Sequence, residues 1–146
     1  MADIFSKEKR SEIMSKIRSV SALEKKFSKL LSAAAYPMGY RYRLNYKGVP
    51  GKPDIAFVSR KIAVFVDGDF WHGYRFHKKR DKLPSAFWVT KIENNMRRDR
   101  RNRRALRAMG WSYVRLWEHE IMKKPDACVA KVLRALLDSE RAILDP

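Results

Sequence analysis

The sequence predicts an α/β domain in which a small mixed sheet is covered by helices. Three observations carry that expectation. Two apolar runs, Ile55 to Val58 and Ile62 to Val66, flank a short polar break, Ser59-Arg60-Lys61, and read as a β-hairpin. Apolar residues recur at helical spacing before the hairpin, over 23–34, and after it, over 129–137. Strand character returns at Trp111 to Trp117, beyond a long charged helix. The element order is α-α-β-β-β-α-β-α, in one domain over 1–146, with no internal repeat and no linker to divide it.

The elements follow in chain order. Ser6 to Arg18 is polar and basic, with Ile13, Met14 and Ile17 at helical spacing, and makes 1–18 a basic arm or helix. Ser21-Ala22-Leu23-Glu24 has the Ser-x-x-Glu form of a capping box. It opens a second helix to about Ala35, with Leu23, Phe27, Leu30, Leu31 and Ala34 inward. Glu24 has two readings, a cap partner or a carboxylate of a site. Tyr36-Pro37-Met38-Gly39 ends this helix, and Tyr40 to Leu44 alternates as a strand. After the hairpin, 74–85 is charged and irregular and reads as a surface loop. Ala86 to Met109 is a long helix closed by Gly110. With the strand at 111–117 it completes a core over 21–122. Pro125 opens a C-terminal helix, 125–138, with Val129, Val132, Leu133, Leu136 and Leu137 inward.

Charge narrows the function. Thirty-three Lys and Arg against sixteen Asp and Glu leave a net +17, which points to a polyanionic partner, nucleic acid by default. The apolar fraction of 45% and four Trp indicate a packed core rather than a basic tail. No apolar run approaches the roughly 20 residues that span a bilayer. The N-terminal stretch lacks the apolar core of a secretory signal, so a cytoplasmic protein is expected. The single cysteine, Cys128, rules out a disulfide framework or a cysteine-rich zinc site within a monomer.

The chemistry concentrates in Pro50 to Gly73. Asp54 heads the first apolar run, and the second stops at Asp67-Gly68-Asp69, followed by Phe70-Trp71-His72-Gly73. Carboxylates at the ends of paired strands suit a hard cation such as Mg²⁺, and a histidine beside them can move a proton. Taken alone, the same residues could be ordinary turn formers. The long helix adds six arginines and Asp99 between 97 and 104. Arginine forks grip phosphates, although a solvated basic face would look similar.

Together these segments resemble the very-short-patch-repair (Vsr) endonucleases, of the restriction-endonuclease-like fold. The resemblance rests on MSKIRS at 14–19, GYRYRLNYKGVPGKPDIAF at 39–57, VFVDGDFWHG at 64–73, FWVTKIENNMRRDRRNRRALRAMGW at 87–111 and VRLWEHEI at 114–121. It implies a Mg²⁺-dependent enzyme, with Mn²⁺ a substitute, that nicks one strand on the 5′ side of the thymine in T·G mismatches left by deaminated 5-methylcytosine. Double-stranded DNA is then the partner of a monomer, with a functional link to a cytosine methyltransferase or mismatch-repair proteins. By position, the resemblance makes Asp54 the metal-binding aspartate and Val66 the source of a backbone carbonyl ligand. His72 is placed to activate water or assist the phosphate. Glu24 and Asp99 hold metal-bound waters and orient the histidine. Phe70, Trp71 and Trp88 are the aromatics that wedge beside the mismatch. Lys52, Arg97, Arg98, Arg100 and Arg101 are the candidate DNA-backbone contacts.

The chain departs from the family where a structural zinc is commonly held. The corresponding places carry Asp69, Tyr74, Phe76 and His119, so no structural zinc is expected, and an Asp69–His119 hydrogen bond is expected to take over part of the bracing. Asp67 stands where a histidine is often found; it is either an additional metal ligand or a solvated turn residue. Two other functions compete. One is a nuclease of this fold cutting intact duplex, in restriction or mobile-element homing. The other is a non-catalytic DNA-binding protein.

Overall fold

The computed structural model describes residues 7–83 and 86–144. Helix α1 runs unbroken over Lys7–Ala35. The expected division between an arm at 1–18 and a helix opening at Ser21 does not occur, and Ser21 caps nothing. Neither Gly nor Pro interrupts 7–35, and the Ser and Val residues near position 20 weaken a helix by only tenths of a kcal/mol each. Residues 1–6 of the expected arm lie outside the described residues. A 3₁₀ turn at Tyr36–Met38 and a left-handed Gly39 end α1.

Four strands form one mixed sheet in the order β1-β2-β3-β4. They are β1 (Arg43–Leu44), β2 (Ile55–Phe57), β3 (Ile62–Asp67) and β4 (Ser112–Trp117). β1 and β2 pair antiparallel, as do β2 and β3, whereas β3 and β4 run parallel. β1 is shorter than the expected 40–44. Tyr40 is instead buried, donating its hydroxyl to Glu140, while Tyr42 packs edge-on against Phe57. The hairpin bend is a 3₁₀ turn at Val58–Arg60 with Lys61 left-handed.

Strand alternation sorts the two faces of the sheet. Ile55, Phe57, Ile62, Val64, Val66, Val114 and Leu116 face the core made with α1, α4 (Glu118–Lys123) and α5 (Pro125–Leu144). Ala56 and Ala63 face the other side, where α3 (Ala86–Ala108) contributes Leu106. The alanines on that face leave room for the helix. Gly110, left-handed at φ 82°, ends α3 and returns the chain to β4 as expected.

Three segments differ further from the sequence reading. The loop at 74–85 contains a short helix, α2 (Phe76–Lys79), and a 3₁₀ turn at Arg80–Lys82; Pro84 and Ser85 lie outside the described residues. α4 was not expected, being too short to show a period. α5 extends to Leu144, past the expected 138, because neither Gly nor Pro interrupts 139–144. Leu30 and Leu137, expected inward, are exposed at the edges of their stripes. No helix among the described residues is long and apolar enough to cross a membrane.

Candidate active site

Antiparallel pairing sets the start of β2 beside the end of β3, and parallel pairing adds the end of β4. Polar groups from distant parts of the chain therefore meet at one edge of the sheet. The Val66 amide donates to Asp54 Oδ2 at 2.6 Å, which ties the two strands where the expected metal site lies. Glu24, in the middle of α1, presents its carboxyl to Asp54. The cap reading of Glu24 is thereby excluded, since no helix begins near it.

Burial, then the hydrogen bond and charge of Glu24, push the Asp54 carboxyl up to about 8, against the opposing pull of the Val66 amide and His72. Burial and a neighbouring carboxyl thus favour a proton on Asp54 near neutral pH. That is the electrostatic condition a divalent cation relieves. Only oxygen donors are involved, so the residues fit a hard ion such as Mg²⁺.

The second acidic group lies on the α3 face. His72 Nδ1 is 2.6 Å from Asp99 Oδ2, and its Nε2 is 3.6 Å from Asp67 Oδ1. Arg115 Nε donates to Asp67 Oδ2 at 2.6 Å, and its Nη2 lies 3.5 Å from Asp99 Oδ2. Ligand-capable atoms of Asp67, His72 and Asp99 all fall within 4.8 Å of one another. A guanidinium already fills the role of cation there. Asp67 is 6% exposed, so the solvated-turn reading does not hold.

Protonation follows from these contacts. Burial pulls the His72 imidazole down, but the Asp99 hydrogen bond and the charges of Asp67 and Asp99 outweigh it and leave it above its ordinary value. Asp99 feels burial pushing up, yet His72, Arg115 and Arg103 hold it below the usual carboxylate range. Burial pushes Asp67 up, only partly offset by His72 and Arg115. An ionised Asp99 can only accept, so Nδ1 of His72 carries a hydrogen, and when the ring is neutral the lone pair is on Nε2.

One cleft of about 550 Å³ is lined by Asp54, Val66, Asp67, His72 and Asp99, while Glu24 lines an adjoining recess with Asp54, Val66 and His72. The rim of the cleft is basic, with Lys47, Lys52, Arg98 and Arg103. Helical geometry divides the arginine run. Arg98 and Arg103 share a face with Asp99 and Asn102, toward the cleft, and Arg100 lines a small recess beside Arg115. Arg97 pairs with Glu93 at 3.6 Å, and Arg101 is exposed; both lie outside the cleft lining.

The aromatic residues lie at the other end of the His72 segment. β3 stops at Asp67, so Phe70 and Trp71 occupy a turn and need not alternate as in a strand. Both rings pack against Trp88, at centroid distances of 5.8 and 5.0 Å. Trp88 is 8% exposed, beneath Phe70, Trp71 and the more open Phe87. Gly73 lets the chain turn back under Met96: its φ is +77°, and a Cβ there would come within 2.5 Å of Met96 Sδ.

The expected bracing contact is present. His119 Nδ1 lies 2.9 Å from Asp69 Oδ1. The Asp69 amide donates to Glu118, and Tyr74 packs on the His119 ring at 4.2 Å. Phe76, at the fourth place, heads α2. The segment carrying His72 is thus fastened to the end of β4 and the start of α4.

Arg115 was missed by the sequence reading. A cation among the alternating apolar residues of Tyr113-Val114-Arg115-Leu116-Trp117 was its only signal, since a charge facing a covering helix needs a partner. Lys47 was missed because nothing local ties it to the cleft.

The chain has relatives among known proteins. A family profile described as DNA mismatch endonuclease Vsr matches residues 2–78. The chain is 38% identical over 149 residues to the Type II nicking enzyme V.XorIIP of Xanthomonas oryzae pv. oryzae, covering 100% of this chain and 99% of that one. It is 38% identical over 112 residues to the Type II nicking enzyme V.NmeDIP of Neisseria meningitidis serogroup C, covering 75% and 76%. It is 34% identical over 122 residues to the DNA mismatch endonuclease Vsr of Escherichia coli, covering 81% and 74%. The chain belongs to the Vsr family of DNA endonucleases, with its restriction-endonuclease-like fold.

Proposed function

We propose that this chain nicks one strand of duplex DNA in a Mg²⁺-dependent reaction, on the 5′ side of the thymine in a T·G mismatch. The observation that carries the nuclease reading is the shared cleft, where Asp54 and His72 lie under a rim of lysines and arginines. Asp54 and the Val66 carbonyl would hold the ion, with Glu24 beside them. When bound, Mg²⁺ neutralises phosphate charge and makes water more acidic. His72 Nε2 accepts the proton of the attacking water. Asp99 keeps the imidazole in the tautomer that can do so. Lys52, Arg98 and Arg103 hold the backbone phosphates, and Phe70 and Trp71, with Trp88 behind them, stack against bases. Unstacking costs a few kcal/mol and least at a mismatch, so an aromatic wedge favours mismatched DNA. Residues 1–146 act as one endonuclease domain in this reading.

A second reading, nicking of intact duplex, draws support from the names of the relatives, which are called Type II nicking enzymes. A non-catalytic binder is disfavoured by the acidic groups, because unneutralised carboxylates repel DNA. End-labelled T·G and T·A duplexes incubated with Mg²⁺ separate the readings. Mismatch repair requires preferential nicking of the T·G duplex, mapped 5′ of the thymine. Equal cutting of both supports the second reading, and binding without cutting supports the third.

A further inference from the structure

We propose that Arg115 is a positioning residue of the nuclease centre, clasping Asp67 and Asp99 at once so that His72 is held with Nε2 toward the cleft. The inference rests on the reading of His72 as proton acceptor. His72 is gripped from both sides, by Asp99 at Nδ1 and by Asp67 near Nε2, and Asp67 is almost fully buried. Two carboxylates against one imidazole repel each other in a poorly solvated site. Besides His72 itself, Arg115 reaches both, through Nε to Asp67 and Nη2 toward Asp99.

Its own placement is rigid. Arg115 sits inside β4, in parallel register with Phe65 of β3, on the face turned to α3. Trp117, two residues on along the same face, covers the guanidinium, with Cζ 4.1 Å from the ring centroid. The guanidinium is therefore backed by an aromatic, while its nitrogens reach the carboxylates. Nη2 is buried with no hydrogen-bond partner, so its link to Asp99 is electrostatic and depends on this geometry. Lysine does not reproduce it, since its ammonium lacks the planar fork that reaches two carboxylates from one fixed position.

Three variants test this: Arg115→Met, Arg115→Lys and the double variant Asp67→Leu/Arg115→Met. Each is compared with wild type by single-turnover nicking in Mg²⁺, DNA affinity and the ring-nitrogen NMR signals of His72. Arg115→Met is expected to slow nicking about 10²-fold, the size of a small misplacement of a reacting group, with affinity nearly unchanged and the His72 signals displaced. Arg115→Lys restores only part of the rate. The double variant removes both charges together, which a fold tolerates far better than one unpaired charge, and is expected to remain slow. If Arg115→Met does not fold, the double variant carries the test alone. A double variant as fast as wild type, or Arg115→Met with unchanged rate and His72 signals, overturns the role of Arg115. A folded His72→Ala that nicks at the wild-type rate removes instead the reading on which it rests.

Discussion

Two acidic clusters meet at one cleft, lined by Asp54 of the first and by Asp67 and Asp99 of the second, and they differ in where their countercharge lies. Asp54 and Glu24 face each other, and burial and the Glu24 carboxyl outweigh the pull of His72, so that Asp54 is pushed up to about 8. Asp67 and Asp99 sit on either side of His72 with Arg115 touching both, and Asp99 is held below its ordinary range. Residue type alone does not separate a metal site from an ion-pair network; the location of the countercharge does. The first cluster lacks positive charge that an ion can bring. The second has it built into β4.

The comparison can be broken most sharply at Asp54. Asp54→Ala is expected to reduce nicking by about 10³-fold or more, because the ion it would hold supplies several kcal/mol to the transition state. A folded Asp54→Ala with wild-type nicking would erase the distinction between the clusters. The next effect is at His72. His72→Ala is expected to lose about 10²- to 10⁴-fold in rate, the range for a general base, while still binding DNA. A loss confined to affinity would make His72 a phosphate contact only.

A smaller effect appears in the stability of protein freed of metal by EDTA. Asp54 binds its proton more tightly folded than unfolded, and so does His72. Between the ordinary carboxylate range and about 8, the folded state therefore holds more protons, and stability falls as pH rises. Asp54→Asn removes the largest part of this dependence. Relief of about 1 kcal/mol would raise the melting temperature by about 2–4 °C. A melting temperature that rises from pH 5 to 8 in the metal-free wild type would contradict the assignment. The smallest effect concerns the rim. Arg98→Ala and Arg103→Ala are each expected to lower the slope of log K against log salt by about 1, whereas Arg101→Ala, outside the cleft, leaves it unchanged.

Much of this was legible from residue order. The hairpin showed in its apolar runs, and the site in the carboxylates and histidine that close them. Asp69 and His119 were paired because they stand where the family commonly holds zinc, and the contact is there. Other features needed the third dimension. Glu24 resembled a helix cap because Ser-x-x-Glu is a local signal, but whether a helix starts there depends on whether the preceding chain is also helical. Arg97 and Arg98 are indistinguishable in the sequence, and only the phase of α3 against the cleft separates them. Trp88 looks like an exposed wedge until its neighbours are placed around it. Arg115 lies 48 residues from Asp67 in the chain, and parallel strand pairing alone makes them neighbours.

The most direct test is a calorimetric Mg²⁺ titration of wild type, Asp54→Asn and Asp67→Asn at pH 7. The clusters as described require that Asp54→Asn abolish Mg²⁺ binding and that Asp67→Asn retain it. Binding that survives Asp54→Asn and disappears in Asp67→Asn would place the ion in the cluster that Arg115 occupies, and contradict the account.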